Sequence, residues 1–317
     1  MTRLIDANAN GVYVIAPTPF GRDGSLDLDS ARRMCDFYLA HGATGITILG
    51  IMGEAPKLSM QESIDFVEAV AERIAGRMPI IVGVTSPGLD QMQALARASA
   101  ERGAAGVMVA PIPGLRTDDA IRRYYDQVIA RLGDQPVCLQ DYPQTLGVWF
   151  SVDCLLQIFA AHPSICMFKH EDSPGLAKLT AFRTRTQAEL GRRVSILVGN
   201  GAMHYPQELA RGADGAMTGF AFPEMLRRVY DLYVEGAADE AETIFDAYLP
   251  MVRHELQPGL GLAIRKWALA RRGAITCDAL RAPGPTLSAK DIEEVEHLWR
   301  RLDRRLAQLK AEGVRVP

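Results

Sequence analysis

The stretch Gly42-Ala43-Thr44-Gly45, followed by the apolar run at residues 46–49, has two further copies in the chain. They are Gly103-Ala104-Ala105-Gly106 and Gly212-Ala213-Asp214-Gly215, and each is again followed by a short apolar run. Each copy comes after a segment with helical apolar spacing. Its first glycine therefore suits the position behind a helix, where a left-handed backbone is most easily adopted without a Cβ. The second glycine is predicted to begin a short buried strand.

The spacing of the copies indicates how many units separate them. They lie 61 and 109 residues apart, and one strand with one helix takes about 30 residues. The copies therefore mark strands two, four and eight of a set of eight. Continuous apolar runs, which are typical of parallel strands buried on both faces, supply the other five strands at residues 12–18, 79–83, 136–140, 165–170 and 195–199.

Helical patterns lie between these strands. Ser59 and Glu62 predict a capping box at the start of a helix over residues 58–74. Strict alternation of eight strands with helices favours a closed (β/α)₈ TIM barrel over an open doubly wound sheet. An open sheet of that kind carries a glycine-rich fingerprint after its first strand, where this chain has Thr18-Pro19-Phe20.

Helical patterns dominate the last part of the chain. We predict a barrel over residues 1–225 and a C-terminal helical extension over residues 226–317, packed on the barrel as one structural unit. No flexible linker separates the two parts. Helical patterns cover residues 223–237, 241–256, 261–272 and 289–310.

Composition argues against several classes of protein. The 317 residues have a net charge of −3, so the basic face of a nucleic-acid-binding protein is not expected. No apolar run approaches the roughly 18 residues of a membrane span, and no secretory signal pattern opens the chain. The five cysteines are odd in number and form no CxxC pair, which argues against disulfides and zinc. We expect a cytoplasmic protein that needs no metal or organic cofactor.

Lys169 is the candidate nucleophile. Active sites of such barrels lie at the C-terminal ends of the strands, and Lys169 is the one lysine of six that ends an apolar strand. An amine that loses hydration there reaches its neutral form more easily, and the neutral amine attacks ketones. The alternatives are a lysine that extends to solvent or pairs with a carboxylate.

Glu171 is the candidate acid/base. It lies two residues after Lys169, so both side chains share one face of an extended strand. A carboxylate beside an imine can move protons on and off carbon, whereas the simpler alternative is a salt bridge with Lys169. His170 points the other way and is interpreted as structural.

The loop after the second strand, Gly50-Ile51-Met52-Gly53-Glu54, is a candidate carboxylate site. Its glycines can expose the backbone N–H groups of Ile51, Met52 and Gly53 to an anion without any charged side chain. The alternative is that the glycines mark a turn and nothing more.

Three further strand ends supply candidates. Gln140 and Tyr142 share one face after strand five, where Gln140 can hydrogen-bond a substrate and Tyr142 can relay a proton or pack at the rim. Gly199 and Asn200 after strand seven, and Met217 at strand eight, leave room for a ligand and offer backbone donors. Ordinary tight turns explain the last three equally well.

Together these motifs resemble the dihydrodipicolinate synthase / N-acetylneuraminate lyase superfamily. They are Thr18-Pro19-Phe20, Gly50 to Glu54 before Leu58-Ser59, Phe168-Lys169 and Val198-Gly199-Asn200, in this order. The superfamily comprises class I aldolases and dehydratases on (β/α)₈ barrels. The resemblance implies that Lys169 forms a Schiff base with a small 2-oxo acid, and it implies a homotetramer.

The chain departs from the usual motifs of the superfamily. Ile51 and Met52 replace the two threonines of Gly-Thr-Thr-Gly-Glu, so hydroxyl contacts to a carboxylate are lost. Gln140 and Asp141 replace the usual Tyr-Asn, and Thr145 replaces an arginine of the synthases. No tyrosine stands near residues 111–113, where synthases carry one.

One branch shares the departures on strand five, namely 2-dehydro-3-deoxy-L-arabonate dehydratase, although its loop after strand two differs from the one here and Tyr142 is not part of its pattern. Its patterns are similar to Gln-Asp-x-Pro at residues 140–143, Phe-Lys-x-Glu at 168–171 and Gly-Ala-Met-Thr-Gly at 215–219. The resemblance implies a lyase that dehydrates a 2-keto-3-deoxy sugar acid, with Glu171 as acid/base. The alternatives are a pyruvate-dependent aldolase, including an atypical dihydrodipicolinate synthase, and a non-catalytic barrel that binds 2-oxo acids.

Overall fold

Eight parallel strands form a closed barrel in chain order. The computed structural model describes residues 4–317. This architecture confirms the predicted (β/α)₈ TIM barrel, and each predicted strand lies within a few residues of an observed one. The strands are Gly11–Ile15 (β1), Gly45–Ile48 (β2), Ile80–Gly83 (β3), Gly106–Val109 (β4), Val137–Asp141 (β5), Ile165–His170 (β6), Ser195–Val198 (β7) and Gly215–Thr218 (β8).

Helices surround the barrel and continue beyond it. Ser59 forms the predicted capping box with Glu62 at the start of α2. Short 3₁₀ turns at Ile51–Gly53, Ala55–Lys57 and Asn200–Ala202 follow strand ends. The helices are Leu28–Ala40 (α1), Met60–Ile74 (α2), Leu89–Glu101 (α3), Asp118–Leu132 (α4), Pro143–Leu146 (α5), Val152–Ala161 (α6), Leu176–Glu189 (α7), Tyr205–Ala210 (α8), Pro223–Val234 (α9), Ala238–Glu255 (α10), Gly261–Arg271 (α11) and Ala289–Ala311 (α12).

The repeated glycines end helices and begin strands, as predicted from the sequence. Gly103 and Gly212 follow helices with φ of +88° and +92°, a left-handed backbone that favours glycine. The second glycines begin their strands because nothing larger fits. A Cβ on Gly106 would lie 2.5 Å from Ile5 Cδ1, and one on Gly215 would lie 2.0 Å from the Gly11 carbonyl oxygen.

Side chains of each strand alternate between the barrel interior and the surrounding helices. On β6, Met167 packs inside the barrel with Cys138 and Met217, whereas Phe168 packs outward against Phe182, with ring centroids 4.8 Å apart. Because the side-chain period of a strand is two, Lys169 continues the inward row. The interior is thus apolar below and carries the lysine at its C-terminal end, which we call the barrel mouth.

The C-terminal helices pack on the outside of the barrel. The predicted boundary at residue 225 stays a prediction, and it falls within α9, the helix that follows β8. Helix α11 returns to the barrel mouth, where Arg265 and Lys266 are almost completely buried. Within residues 4–317, no helix combines the length and hydropathy that crossing a bilayer requires.

Candidate active site

Lys169 and Glu171 form an ion pair inside the barrel mouth. Lys169 Nζ lies 2.7 Å from Glu171 Oε1, and the two residues are only 4% and 6% exposed. Lys169 on β6 and Glu171 directly after it both lie on the inward face, as the two-residue spacing predicts. A buried ammonium beside a carboxylate has a direct route for its proton, so the pair can present the neutral amine that attacks a carbonyl group.

Two further donors hold the Glu171 carboxylate. Gln140 Nε2 donates to Glu171 Oε1 over 2.6 Å, and the backbone N–H of Asn200 donates to Oε2 over 3.2 Å. Gln140 is directly opposite Lys169 in the pairing of β5 with β6. The structure therefore brings Lys169, Glu171, Gln140 and Asn200 together, and both carboxylate oxygens of Glu171 have partners.

Gly199 makes room for Glu171. A Cβ on Gly199 would lie 2.4 Å from both Cγ and Oε2 of Glu171. The sequence analysis assigned the space at Gly199 to a ligand. The space belongs instead to the glutamate side chain, because β6 and β7 are adjacent and their inward rows share the same volume.

The loop after β2 presents two of the three predicted backbone donors. The Gly53 N–H donates to the Gly50 carbonyl over 2.9 Å, closing a 3₁₀ turn, and its carbonyl accepts from Thr18 Oγ1 over 2.5 Å. Gly53 is therefore already engaged, which corrects the prediction for this residue. The N–H groups of Ile51 and Met52 precede the first hydrogen bond of the turn and have no acceptor within it.

A cavity of about 540 Å³ opens beside this loop. Such a volume suits a small organic ligand. Gln140 lines the cavity and also donates to Glu171, so this one side chain connects the cavity with the ion pair. Ile51 is 41% exposed and forms part of the wall. Much of the remaining wall is apolar and comes from Leu49, Met60, Val84, Leu95, Met108 and Leu146.

Among the described residues, neither Tyr142 nor Met217 forms a hydrogen bond with Lys169 or Glu171. Tyr142 is half-buried at the start of α5, and no hydrogen bond within residues 4–317 joins its hydroxyl to Lys169 or Glu171. Met217 packs in the barrel interior, where Cys138 Sγ lies 3.8 Å from its Sδ. Met217 is fully buried and is not among the residues that line the cavity.

The outward face of β5 and β6 carries a second polar cluster that the sequence analysis missed. Asp141 is fully buried, and its Oδ2 lies 2.6 Å from Lys178 Nζ. Lys178 also contacts Asp172 over 3.1 Å. His170 Nε2 contacts the Gly175 carbonyl over 3.0 Å, which supports its interpretation as structural. The cluster ties α7 to the two strands that carry Gln140 and Lys169.

Arg265 of α11 is the other polar group that the sequence analysis missed. Its Nη1 contacts Met52 Sδ, and its Nε donates to Glu255 Oε2 over 3.0 Å. Burial raises the pKa of Glu255 to about 7, against the opposing effect of Arg265. The available indication was an Arg-Lys pair enclosed by apolar residues 262–264 and 267–270, because a charge surrounded in this way must find a specific partner.

A closed parallel barrel with its functional side chains gathered at the C-terminal ends of the strands is typical of (β/α)₈-barrel enzymes. The chain belongs to the dihydrodipicolinate synthetase family, whose family model matches residues 8–301. This membership confirms the resemblance inferred from the motifs and makes the chain a lyase of that family.

Individual relatives cover nearly the whole chain. L-2-keto-3-deoxyarabonate dehydratase of Azospirillum brasilense is 29% identical over 96% of this chain and 97% of its own length. A 4-hydroxy-tetrahydrodipicolinate synthase of Xanthomonas campestris pv. campestris is 32% identical over 88% of this chain and 90% of its own. The crystal structure of a dihydrodipicolinate synthase from Rhodopseudomonas palustris is 45% identical, with a TM-score of 0.93, and the match covers 95% of this chain and 100% of that one.

Proposed function

We propose that this lyase forms a Schiff base between Lys169 and the ketone of a 2-oxo acid, and that it dehydrates a 2-keto-3-deoxy sugar acid such as 2-dehydro-3-deoxy-L-arabonate. The observation that carries the proposal is the 2.7 Å contact between Lys169 Nζ and Glu171 Oε1 inside the barrel mouth. It puts a nucleophile and a proton acceptor on one strand face, beside a cavity of suitable size.

The reaction begins with the transfer of the ammonium proton of Lys169 to Glu171. The neutral amine attacks C2 of the ketone to give a carbinolamine. Protonated Glu171 then returns its proton to the carbinolamine hydroxyl, which leaves as water to give an iminium ion and restores the Glu171 carboxylate. The iminium ion withdraws electrons from C3 and makes its protons acidic. Glu171 removes one of them, and the C4 hydroxyl leaves as water with the proton returned to it. Hydrolysis of the imine regenerates Lys169 and releases a 2,5-dioxo acid after tautomerisation.

Other residues around the pair orient the reactants. Gln140 holds Glu171 Oε1, and the Asn200 N–H holds Oε2, which fixes the carboxylate beside the imine carbon. The N–H groups of Ile51 and Met52 face the substrate carboxylate. Tyr142 follows Gln140 by two residues and serves as a second proton carrier when substrate closes the distance.

Two observations favour dehydration. Glu171 occupies the position of the acid/base that the dehydratase branch implies. The Azospirillum brasilense relative, which carries the name of such a dehydratase, matches 96% of this chain. We further propose a cytoplasmic homo-oligomer, a homotetramer by resemblance. Family membership argues against the non-catalytic barrel that the sequence analysis kept as an alternative.

A pyruvate-dependent aldolase is the second candidate. The cavity wall beside Gln140 is mostly apolar, with Ile51, Met60 and Leu146 among its members. A polyhydroxylated chain finds few hydrogen-bond partners there, whereas an aldehyde with an apolar substituent packs well. This wall favours the aldolase, and product analysis separates the two reactions.

Borohydride trapping tests the proposal. The protein is incubated with pyruvate and with a panel of 2-keto-3-deoxy sugar acids, reduced with borohydride, digested and analysed by peptide mass spectrometry. We expect the adduct on Lys169 and its loss in Lys169→Ala. Lys290→Ala, at an exposed lysine of α12, is the matched control and keeps the adduct. An unmodified Lys169 with every 2-oxo acid tested overturns the proposal.

Product analysis then separates the candidates. Turnover of a 2-keto-3-deoxy acid to a 2,5-dioxo acid without release of pyruvate supports dehydration. Release or consumption of pyruvate together with an aldehyde identifies the aldolase.

A further inference from the structure

Arg265 brings a buried positive charge into the barrel mouth from outside the barrel. It belongs to α11 and is 2% exposed. Its Nη1 occupies the space of the next inward-facing side chain after β8, at Gly219. A Cβ on Gly219 would be 2.7 Å from Arg265 Nη1 and 2.8 Å from the Ile15 carbonyl oxygen. Glycine at position 219 thus leaves the room that the guanidinium group occupies above the ends of β8 and β1.

Arg265 and the ion pair enter the barrel mouth above different strands of the ring. In a closed ring of eight strands, β1 and β5 face each other across the axis. Gln140 and Lys169 extend inward from β5 and β6, while Arg265 lies above β8 and β1 and contacts Met52 of the loop after β2. A ligand bound at Lys169 therefore shares the barrel mouth with the guanidinium group of Arg265.

The hydrogen bonds of Arg265 leave one edge of the guanidinium group for an anion. Glu255 accepts from Nε over 3.0 Å and fixes the plane of the group. At the other end, Nη1 faces the thioether of Met52, which is a weak acceptor. A carboxylate is a far stronger acceptor for the planar fork of an arginine and binds it through two parallel hydrogen bonds.

We propose that Arg265 binds the carboxylate next to the ketone of the substrate, and that Glu255 is the positioning residue that aims it. This inference rests on the proposed function, because it concerns the same 2-oxo acid at Lys169. Arg265, a charged side chain of the C-terminal extension, then binds the substrate carboxylate together with the backbone N–H groups of Ile51 and Met52. The loop after β2 has no hydroxyl groups to offer that carboxylate. The enzyme then selects 2-oxo acids over uncharged ketones by charge.

The test compares pyruvate with its uncharged amide, pyruvamide, in wild type and in Arg265→Gln. The concentration that gives half-maximal borohydride trapping on Lys169 is measured for both ketones. Loss of hydrogen bonds to a charged group predicts a half-saturating pyruvate concentration about 10- to 100-fold higher in Arg265→Gln. The value for pyruvamide changes by less than about threefold, because pyruvamide carries no charge for the guanidinium group to bind.

Two companion variants keep the test decisive. Arg271→Gln removes an exposed arginine of the same helix and leaves both trapping curves unchanged. Arg265→Lys keeps the positive charge but not the planar guanidinium group. We expect it to raise the half-saturating pyruvate concentration by a smaller factor than Arg265→Gln does. It replaces Arg265→Gln in the test if that variant does not fold. Equal changes for pyruvate and pyruvamide mean that Arg265 is structural, and they overturn this inference while the Schiff base stands. Absence of trapping in the wild type overturns the proposed function itself.

Discussion

Glu171 Oε1 lies 2.7 Å from Lys169 Nζ, and a single residue separates the two in the chain. The contact arises because β6 and the residue after it turn both side chains into the barrel, and Gly199, directly after β7, leaves the space that the glutamate needs. In the proposed reaction Lys169 bonds to the substrate and Glu171 moves its protons, so the two roles can be separated by substitution.

Glu171→Gln separates these roles. The amide keeps the shape of the side chain but cannot accept a proton, so we expect turnover to fall by about 10²- to 10⁴-fold. We expect slow trapping of pyruvate on Lys169 to persist, because the ammonium group can still lose its proton to water and so form the free amine. Steady-state kinetics and mass spectrometry measure the two effects. Turnover within about threefold of wild type would show that Glu171 is only the salt-bridge partner of Lys169.

Gly199→Ala is expected to displace the Glu171 carboxylate without changing its chemical groups. The added Cβ would lie 2.4 Å from Glu171 Cγ, so the side chain must move away from Lys169, and we expect turnover at least about tenfold lower with the fold intact. Gly88→Ala is the matched control, because its Cβ meets Gln91 at an ordinary 3.7 Å. Circular dichroism confirms folding, and equal kinetics for the two variants contradict the prediction.

Glu208→Gln tests a buried acid away from the barrel mouth. The residue as a whole is half-buried, but its carboxylate oxygen Oε2 is buried without a hydrogen-bond partner. The burial of this oxygen determines the pKa of the group. Burial raises the pKa of Glu208 to about 8. The folded state therefore favours the neutral acid.

The sign of the resulting pH dependence follows from this shift. The stabilising contribution of neutral Glu208 is complete below pH 4.5, the ordinary pKa of the group, and is lost as the pH rises to about 8. Glutamine does not ionise, so we expect Glu208→Gln to melt several degrees above wild type at pH 8.5 and at the same temperature at pH 4.5. Thermal melts at both pH values measure this, and a gap that shrinks with rising pH contradicts it.

Lys266→Met breaks a buried ion pair between α11 and the loop after β2. Lys266 Nζ lies 2.7 Å from Glu54 Oε1, and both side chains are buried. Removal of one partner of such a pair costs about 3 kcal/mol, at the lower end of the usual range because Lys57 remains beside Glu54. Urea unfolding measures the loss against Lys290→Met, whose exposed ion pair contributes little. Equal stability of the two variants refutes the prediction.

The sequence predicts the barrel well because its strand ends are marked locally. Glycine at 106 and at 215 is required by contacts within the barrel, and the buried strands are continuous apolar runs. Lys169 and Glu171 are predicted for the same reason, since strand alternation alone puts them on one face. The other groups of the site depend on neighbours that are distant in the chain. The role of Gly199 becomes visible only with Glu171 beside it, and Arg265 reaches the mouth from a helix more than 200 residues after Met52.

Helix α11 holds the loop after β2 through two consecutive residues, Arg265 at Met52 and Lys266 at Glu54. The barrel and its tail therefore cannot be exchanged between relatives as independent modules. A chimera that takes its last hundred residues from another member would inherit a foreign partner for residues 52 and 54. Successful recombination within the family must transfer these two short segments as a matched set.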